Sequence, residues 1–237
     1  TGIIVRDCIF VRNSALELGH VGGGFGAGGG LALDRGNTNV TFINNYYTNN
    51  SAPAGGGLSM GENNVGVDFI GDHFYDNHAF LDGGAVYSHN SNRQLSFTDV
   101  IIENNRCIYR GGGMYFYRNM NRVLITNVHF LNNNAMEGAG FYGYYDNTGI
   151  DFEDCDFTLN HARSGGGAFF LYQNNLRMTL RNCYFDSNFA ELQGGGVETR
   201  SNEHFAVVDS TFFNNSALFD GGGINFGIDN KYARIVH

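Results

Sequence analysis

The chain has 237 residues, of which 35 are Gly, one is Pro and none is Trp, and its formal net charge is −9. Hydrophobic residues make up 42% of the chain, which is enough to bury a core and argues against disorder. The glycines do not follow the strict triplet period of collagen. With only 14 basic residues the acidic chain is a poor nucleic-acid partner. No run of 18 apolar residues predicts a membrane-spanning segment.

A short pattern recurs eight times: an aromatic or aliphatic residue, two variable residues, Asn, one variable residue and a small residue, usually Ala. After a first interval of 37 residues, the Asn recurs every 27 or 28 residues. Its positions are Asn13, Asn50, Asn77, Asn105, Asn133, Asn160, Asn188 and Asn215. A regular period of this length is typical of a repeat architecture. Because a buried amide can both donate and accept along a stack of coils, we predict an inward structural Asn ladder.

The long first interval contains a Gly-rich insertion at about residues 16–27, followed by the triplet Gly28–Gly30. Insertions in repeat arrays form loops on one face, so we expect a protruding loop here. A phosphate-cradling loop is disfavoured because no helix-forming run follows and no Lys lies beside it.

Each copy of the repeat has the pattern of short strands. Apolar residues alternate before the Asn, as in Val67 and Phe69, which predicts a strand with one buried face. Asp, Asn or Gly then marks a bend, a second strand carries the aromatic residue, and a third follows a small-residue triplet such as Gly111–Gly113. Three strands and three turns per repeat predict one all-β domain over residues 1–237, a single-stranded parallel β-helix of about eight coils.

The repeat resembles the polymorphic outer-membrane-protein type, in which Phe-x-x-Asn alternates with Gly-Gly-Ala and an aliphatic residue. The first motif occurs six times, at residues 10–13, 74–77, 130–133, 157–160, 185–188 and 212–215, and the second is literal at Gly83–Val86. The resemblance covers nearly the whole chain. It implies a right-handed, pectin-lyase-like β-helix exported to a surface. The implied function is a non-enzymatic, extracellular or cell-surface structural or adhesive module, and no cofactor is expected.

Aromatic residues occupy the predicted outward positions beyond the Gly triplets. They are Tyr87, Tyr115, Tyr117, Tyr142, Tyr144, Tyr145, Phe169 and Tyr172. Contiguous exposed aromatics usually mark a partner surface, and Tyr rings can stack on sugars. The second functional hypothesis is therefore a carbohydrate-binding or carbohydrate-cleaving β-helix that uses this face. A self-supporting aromatic ladder is the structural alternative.

Candidate catalytic or metal-binding groups are sparse. Asp82 and Glu137 lie two coils apart with Arg110 between them, and they form the best acidic pair on one face. Glycoside cleavage needs two carboxylates across the scissile bond, but an ion-paired surface triplet is the favoured interpretation. The eight His residues show no metal-ligand spacing, so no metal site is predicted.

Two kinds of covalent modification have candidate residues. Cys155 and Cys183 fall on successive coils, close enough for a disulfide, although two stacked buried thiols explain the spacing equally well. Asn-x-Ser/Thr sequons occur at Asn39, Asn49 and Asn214, and these are candidate glycan acceptors in a eukaryotic secretory host.

The two ends of the sequence fall at the apolar phase of a coil, with Ile3 and Val5 at one end and Ile235 at the other. Solenoids need polar terminal caps, because an open end exposes strand edges and core. We therefore expect a segment of a longer protein, with a second copy or a neighbouring domain stacked end to end. Glycans and surface proteins are the other expected partners.

Overall fold

The computed structural model describes residues 2–16 and 28–237, and within these ranges it contains 32 β-strands and no helix. Accordingly, no helix that could cross a membrane occurs in the part of the chain described. The predicted Gly-rich insertion lies almost entirely outside the described residues. All strand pairings between neighbouring coils are parallel, as in Val40↔Val67 and Val67↔Leu95. The chain therefore winds as a parallel solenoid.

Four parallel sheets, here called A to D, run along the solenoid, and each coil passes through them in that order. Sheet A has the longest strands: β1 (Ile3–Arg6), β4 (Thr38–Ile43), β8 (Val65–Ile70), β12 (Arg93–Thr98), β16 (Asn121–Thr126), β20 (Thr148–Glu153), β24 (Leu176–Arg181), β28 (Ala206–Val208) and β32 (Arg234–Val236). Sheet B carries the repeated aromatic residue: β2 (Ile9–Val11), β5 (Tyr46–Thr48), β9 (His73–Tyr75), β13 (Ile101–Glu103), β17 (His129–Leu131), β21 (Asp156–Thr158), β25 (Tyr184–Asp186) and β29 (Thr211–Phe213).

Sheets C and D complete each coil. Sheet C is built from β6 (Ser51–Ala54), β10 (His78–Asp82), β14 (Arg106–Cys107), β18 (Asn134–Ala135), β22 (His161–Ala162), β26 (Phe189–Ala190) and β30 (Ser216–Ala217). Sheet D is built from β3 (Leu31–Leu33), β7 (Leu58–Glu62), β11 (Val86–Asn90), β15 (Met114–Arg118), β19 (Phe141–Tyr145), β23 (Phe169–Gln173), β27 (Val197–Thr199) and β31 (Ile224–Phe226). Seven coils of the described chain contain a strand in all four sheets.

The coil contains four strands rather than the three that the sequence predicts. The additional strand is the short segment of sheet C, which directly follows the repeated Asn and carries the small residue of the repeat. Only two or three residues pair there in most coils, too few for a recognisable alternation of apolar and polar residues. The prediction of a parallel β-helix is confirmed, with seven complete coils instead of about eight.

Identical side chains stack on one another through the core, because successive coils pair in register. In sheet A, the Phe42 and Phe69 rings are parallel with centroids 4.8 Å apart. In sheet B, Phe157 stacks on Phe130 at 4.5 Å and on Phe185 at 4.6 Å. These side chains are fully buried. Each coil thus buries its apolar face against its neighbours, which is how a solenoid obtains a continuous core.

The turn between sheets A and B uses the bend residues that the sequence predicts. They all have a left-handed backbone, with φ between 48° and 65°: Asp7, Asn44, Gly71, Asp99, Asn127, Asp154, Asn182 and Asp209. Gly has no Cβ to clash in this conformation, and the short polar side chains of Asp and Asn tolerate it. This turn sets the angle at which the chain enters the aromatic strand of sheet B.

Candidate functional site

The repeated Asn residues line the inside of the turn between sheets B and C. From Asn50 onward, each Oδ1 accepts from both the backbone N–H and the Nδ2 of the preceding Asn; Asn133 donates in this way to Asn160 Oδ1 at 3.0 and 3.0 Å. From the second Asn onward, each Nδ2 also donates to the carbonyl of the repeated aromatic or aliphatic residue on the preceding coil, as Asn160 does to Phe130 O at 2.8 Å. The six members Asn50 to Asn188 are buried, while the end members Asn13 and Asn215 are more exposed. This is the inward geometry that the sequence predicts, and it points to a structural role.

A second Asn ladder, which was not predicted from the sequence, lines the turn between sheets D and A. Asn64 donates through N–H and Nδ2 to Asn92 Oδ1 at 2.8 and 3.0 Å. Asn147 donates in the same way to Asn175, and Asn175 to Asn202. The signal was available, since Asn64, Asn92, Asn147, Asn175 and Asn202 follow the same 27–28-residue period. Met120 interrupts the column.

The outer face of sheet D carries two rows of aromatic side chains, which we call the aromatic seam. The inner row is Tyr87, Tyr115, Tyr142 and Phe170, and the outer row is His89, Tyr117, Tyr144 and Tyr172. Rings of the outer row are nearly parallel, with centroids 5.2, 5.6 and 5.3 Å apart from one coil to the next. The seam therefore runs along the solenoid axis, with one ring of each row per coil.

The inner row is buried although it points away from the core. A left-handed Gly at the start of each triplet folds the chain outward and back over the ring four residues later. At Gly111, φ is +66°, and an added Cβ would lie 2.8 Å from Tyr115 Cβ. A Cβ added to Gly138 would likewise lie 3.0 Å from Tyr142 Cβ. The glycines therefore build a shoulder that covers the inner row.

The prediction that the whole aromatic set is exposed is wrong for four of its members. Tyr87, Tyr115 and Tyr142 are at most 4% exposed under the shoulder, and Phe169 lies in the main core, fully buried. Phe170, rather than Phe169, pairs with Tyr142. The remaining members Tyr117, Tyr144, Tyr145 and Tyr172 are half-buried and reach the surface.

The shift at Phe169 has a local cause in the run Gly165–Gly167. The left-handed glycine of this coil is Gly166, with φ of +63°, so the structural triplet is Gly166, Gly167 and Ala168. Gly165 takes the place before the triplet that Arg110, Glu137 and Gln193 take in other coils, and it pairs with Gln193 in an isolated bridge. The sequence alone does not show which of the three consecutive glycines is left-handed.

Arg110 extends from the shoulder over the seam. Its guanidinium carbon lies 4.8 Å from the Tyr144 ring centroid, and its Nε lies 3.8 Å from Glu137 Oε2. The Arg110 backbone N–H donates to Asp82 Oδ1 at 3.1 Å. The predicted triplet Asp82, Arg110 and Glu137 is therefore brought together, and its geometry is that of an ion-paired cluster packed on tyrosine rings.

The electrostatics of the shoulder set Asp82 apart from an ordinary surface carboxyl. Burial raises the pKa of Asp82 to about 6, Glu137 adds to the rise, and Arg110 opposes it. Burial also raises the pKa values of the Tyr115 and Tyr142 hydroxyls, so both phenols stay neutral. A carboxyl that titrates near pH 6 beside an arginine can hold or release a proton under mild conditions.

The seam changes character in its last coils, where Glu198 replaces an aromatic ring. Glu198 is fully buried and accepts from Arg200 Nε at 2.8 Å and from Asn225 Nδ2 at 2.6 Å. Burial raises the pKa of Glu198, while these two partners oppose the rise. Arg200 also donates to Gln193 Oε1 and lies over Phe170. The sequence does not point to this cluster, because no charge pattern distinguishes its residues from ordinary surface residues.

At the other end of the seam, His89 and Glu62 form a second partly buried pair. His89 Nδ1 lies 3.1 Å from Glu62 Oε1, and the imidazole stacks on Tyr117. Burial lowers the pKa of His89, and Glu62 opposes this effect, so the ring is neutral near pH 7. Arg118 lies over the Tyr117 ring at 5.2 Å and is exposed. The seam is thus bounded by charged groups at both ends.

The candidate modification residues lie on other parts of the coil. Cys155 and Cys183 are buried free thiols, and their Sγ atoms donate to the carbonyls of Ile125 and Phe152 at 3.3 and 3.6 Å. The structure therefore does not contain the candidate disulfide. The sequon residues Asn39, Asn49 and Asn214 are exposed with left-handed φ of 52–54°.

The described residues contain no group of three His, Cys, Asp or Glu side chains arranged to hold a metal ion. Open clefts occur at turns: one of about 510 Å³ is lined by Asn174, Leu176, Glu203 and Lys231, among others, at the turn between sheets D and A. Another, of about 310 Å³, lies on sheet B beside Ile101 and the pair His129 and Asp156, whose Nδ1 and Oδ2 atoms are 2.9 Å apart. Neither of these two clefts includes a residue of the aromatic seam.

Comparison with known proteins places the fold. A family model for the right-handed β-helix region matches residues 56–233, roughly three quarters of the chain. No curated protein and no solved structure matches the chain. The matched segment includes six of the seven complete coils and all of the aromatic seam. The chain therefore belongs to the right-handed β-helix family.

Proposed function

We propose that this chain is a non-enzymatic β-helix module of an extracellular or cell-surface protein, with a structural and adhesive role, and that its repeats are of the polymorphic outer-membrane-protein type. The observation that carries the proposal is the outer row of the seam. It presents one half-exposed phenol per coil, at Tyr117, Tyr144 and Tyr172, on a backbone held by two Asn ladders. A rigid row of this kind suits an extended or repetitive partner.

The stiffness of the module supports a structural role. Backbone hydrogen bonds link each coil to the next through four sheets, and the two Asn ladders satisfy the polar groups of turns that no strand pairs. The coil-to-coil interface consists of stacked rings with centroid separations near 4.5 Å. Such a solenoid bends little and holds surface groups at a fixed spacing.

The adhesive role can be tested with a variant that removes the three hydroxyl groups and keeps the rings stacked: Tyr117→Phe, Tyr144→Phe and Tyr172→Phe together. Arrays of glycans and of surface proteins should give a signal with the wild-type chain that falls at least tenfold in this variant. Tyr75→Phe, on the exposed face of sheet B, is the matched control and should bind like the wild type. Absence of any wild-type signal would contradict adhesion by this face.

Carbohydrate cleavage on a pectin-lyase-like β-helix is the second candidate, and the Asp82–Arg110–Glu137 cluster is what favours it. Acid–base cleavage of a glycosidic bond requires two carboxyl groups. Here these are Asp82, whose pKa is about 6, and Glu137, on the other side of Arg110. Incubation with acidic and neutral polysaccharides, followed by measurement of reducing ends and unsaturated products, tests it. Activity lost in both Asp82→Asn and Glu137→Gln supports cleavage; no product from any substrate contradicts it.

The extracellular setting has its own test. Asn49 and Asn214 are exposed and lie on the same turn of different coils. Expression through a eukaryotic secretory pathway should give a chain whose mass falls after glycosidase treatment. Unchanged mobility in wild type and in Asn49→Gln with Asn214→Gln would show that these sequons are not used.

End-to-end partners are part of the proposal. Strands β29 and β32 have one unpaired edge, and they carry exposed apolar side chains such as Phe213 and Ile235. A further β-helical coil, from a neighbouring domain or a second copy, would pair with these edges and cover the side chains. Glycans and surface proteins are the partners proposed for the seam.

A further inference from the structure

The outer side of sheet C and of the turn that follows it carries an exposed apolar stripe that runs along the solenoid. Six side chains on this face are between 40% and 72% exposed: Phe80, Ile108, Met136, Leu192, Leu218 and Phe219. They occupy consecutive coils on both sides of β22, because each follows the small residue of a sheet C strand by one or two positions. Contiguous exposed apolar groups mark an interaction surface more often than isolated ones do.

Two charged residues interrupt the stripe at its middle, and their order is informative. Going along one column, the residues are Met136, Arg163, Glu191 and Leu218, on four successive coils. The backbone contacts fix this register, since Arg163 N–H donates to Ala135 O, Glu191 N–H to Ala162 O and Leu218 N–H to Ala190 O. The column thus reads apolar, positive, negative, apolar.

This order is self-complementary for only one kind of symmetric pairing. Consider two copies packed side by side and antiparallel. Their two-fold axis lies in the contact plane, perpendicular to the solenoid axes, at the level midway between the coils of Arg163 and Glu191. Each Arg163 then faces Glu191 of the other copy. Met136 then faces Leu218 of the other copy. When the rods pack in parallel at the same level, Arg163 faces Arg163 and Glu191 faces Glu191, and both contacts are repulsive.

We propose that the face of sheet C is a docking surface for a second copy of this chain, packed side by side and antiparallel. The occupant is argued from charge complementarity: the stripe residues within the overlap, Met136, Leu192, Leu218 and Phe219, supply apolar contacts, and the central Arg163 and Glu191 select the antiparallel arrangement. Within the chain, Glu191 Oε1 lies 3.5 Å from His161 Nε2, and half of its side chain remains exposed to a partner. The contact is lateral, so it is independent of stacking between coil ends and of the role of the aromatic seam.

The size of the contact sets the expected strength. Four coils at about 4.8 Å each give an overlap of roughly 15–20 Å along the rod, less than the interface of a standard stable complex. A weak dimer, populated only at high protein concentration, is therefore the expected state.

Sedimentation velocity and light scattering over a wide concentration range test the proposal. The wild-type chain should shift from monomer to dimer. Met136→Lys should weaken dimerisation at least tenfold, whereas Leu124→Lys, an equally exposed position on sheet A, should not. Far-ultraviolet circular dichroism and thermal unfolding of each variant verify that the solenoid is intact.

Reversing the charge of Arg163 or of Glu191 provides the decisive experiment. Arg163→Glu makes both central positions acidic, and Glu191→Arg makes both basic, so each variant alone should remain monomeric. An equimolar mixture of the two should form a heterodimer, because each acidic pair then faces a basic pair. Effects within one chain cannot produce recovery on mixing. A wild-type chain that is monomeric at all concentrations, a dimer insensitive to these substitutions, or no recovery on mixing would each overturn the proposal.

Discussion

Asn105 contacts Asn133 on the next coil twice, since its backbone N–H and its Nδ2 donate to the same Asn133 Oδ1 atom at 3.0 and 3.2 Å. The contact explains why Asn is the repeated residue. A carboxylate at this position could accept the two hydrogen bonds but could not donate onward, as Asn133 does to Asn160 and to Ile102 O. An aliphatic side chain could do neither.

The first prediction concerns Asn133→Leu. The substitution leaves the Asn105 amide without its acceptor and the Ile102 carbonyl without its donor, in a buried turn. We expect the free energy of unfolding to fall by about 1–3 kcal/mol, measured by urea or thermal unfolding. Asn121→Leu, at an exposed position on β16, is the control and should change stability little. A change near zero in Asn133→Leu would show that water satisfies these groups equally well.

The second prediction concerns Tyr47, which takes the place of Phe in the sheet B column. Its ring stacks between Phe10 and Phe74, and its hydroxyl is buried with no hydrogen-bond partner among the described residues. Tyr47→Phe keeps the ring and removes an unsatisfied polar group, so stability should rise by about 1 kcal/mol. Tyr46→Phe, on the exposed face of the same strand, should have little effect. A loss of stability in Tyr47→Phe would mean that an internal water serves the hydroxyl.

The third prediction concerns the pH dependence of stability and Asp72, a buried residue at the turn between sheets A and B. Its carboxylate accepts two hydrogen bonds in the way that the ladder Asn residues do. Asp72 Oδ1 accepts from the N–H and Nδ2 of Asn45 at 2.6 and 2.9 Å, while Oδ2 is buried without a partner among the described residues. Burial raises the pKa of Asp72 to about 6, and the two hydrogen bonds from Asn45 oppose the rise. In the unfolded chain an Asp carboxyl titrates near pH 3.9.

The sign of the effect follows from proton binding. Between about pH 4 and 6 the folded chain holds the Asp72 proton more tightly than the unfolded chain does, so this residue's contribution to stability falls as pH rises. Asp72→Asn removes that dependence and should stabilise the protein at pH 7.5, by up to about 3 kcal/mol, and much less at pH 4. Unfolding free energies of both proteins at the two pH values provide the measurement. An equal difference at both would show that Asp72 is not the titrating group; Asp68→Asn, on the outer face of β8, is the control.

The sequence predicted the fold well because residues at equivalent positions of successive coils have the same structural requirement. Each coil pairs in register with the next, so any position that must be inward, small or left-handed repeats every 27–28 residues, as Phe130, Asn133 and Ala135 do. Even a short pattern becomes strong when it occurs eight times. The second Asn ladder follows the same logic and was detectable from Asn64 and Asn92.

The surface was harder to predict, because outward direction does not imply exposure. Tyr115 and Tyr142 do point away from the core, but the shoulder of the neighbouring turn covers them, and nothing in local alternation encodes that covering. The cluster around Glu198 depends on Arg200 and Asn225, which lie on different coils and in no shared motif. Such contacts follow from the three-dimensional path of the turns.

The last prediction tests the register of the coil that contains Gly165 and Gly166, two adjacent and chemically identical residues with opposite requirements. Gly166 has a left-handed φ of +63°, and a Cβ on it would lie 2.6 Å from Phe169 O and 2.8 Å from Phe170 Cβ. Gly165 is not left-handed, and a Cβ there would make ordinary contacts no shorter than 3.5 Å. Gly166→Ala should therefore destabilise the protein by about 2 kcal/mol or more. Gly165→Ala should be neutral, or stabilising by up to about 1 kcal/mol, because it restricts the unfolded chain without straining the folded one. Thermal unfolding of the two variants side by side distinguishes the registers. The opposite order of stability would mean that Gly165 begins the triplet and that Phe169, not Phe170, occupies the aromatic seam.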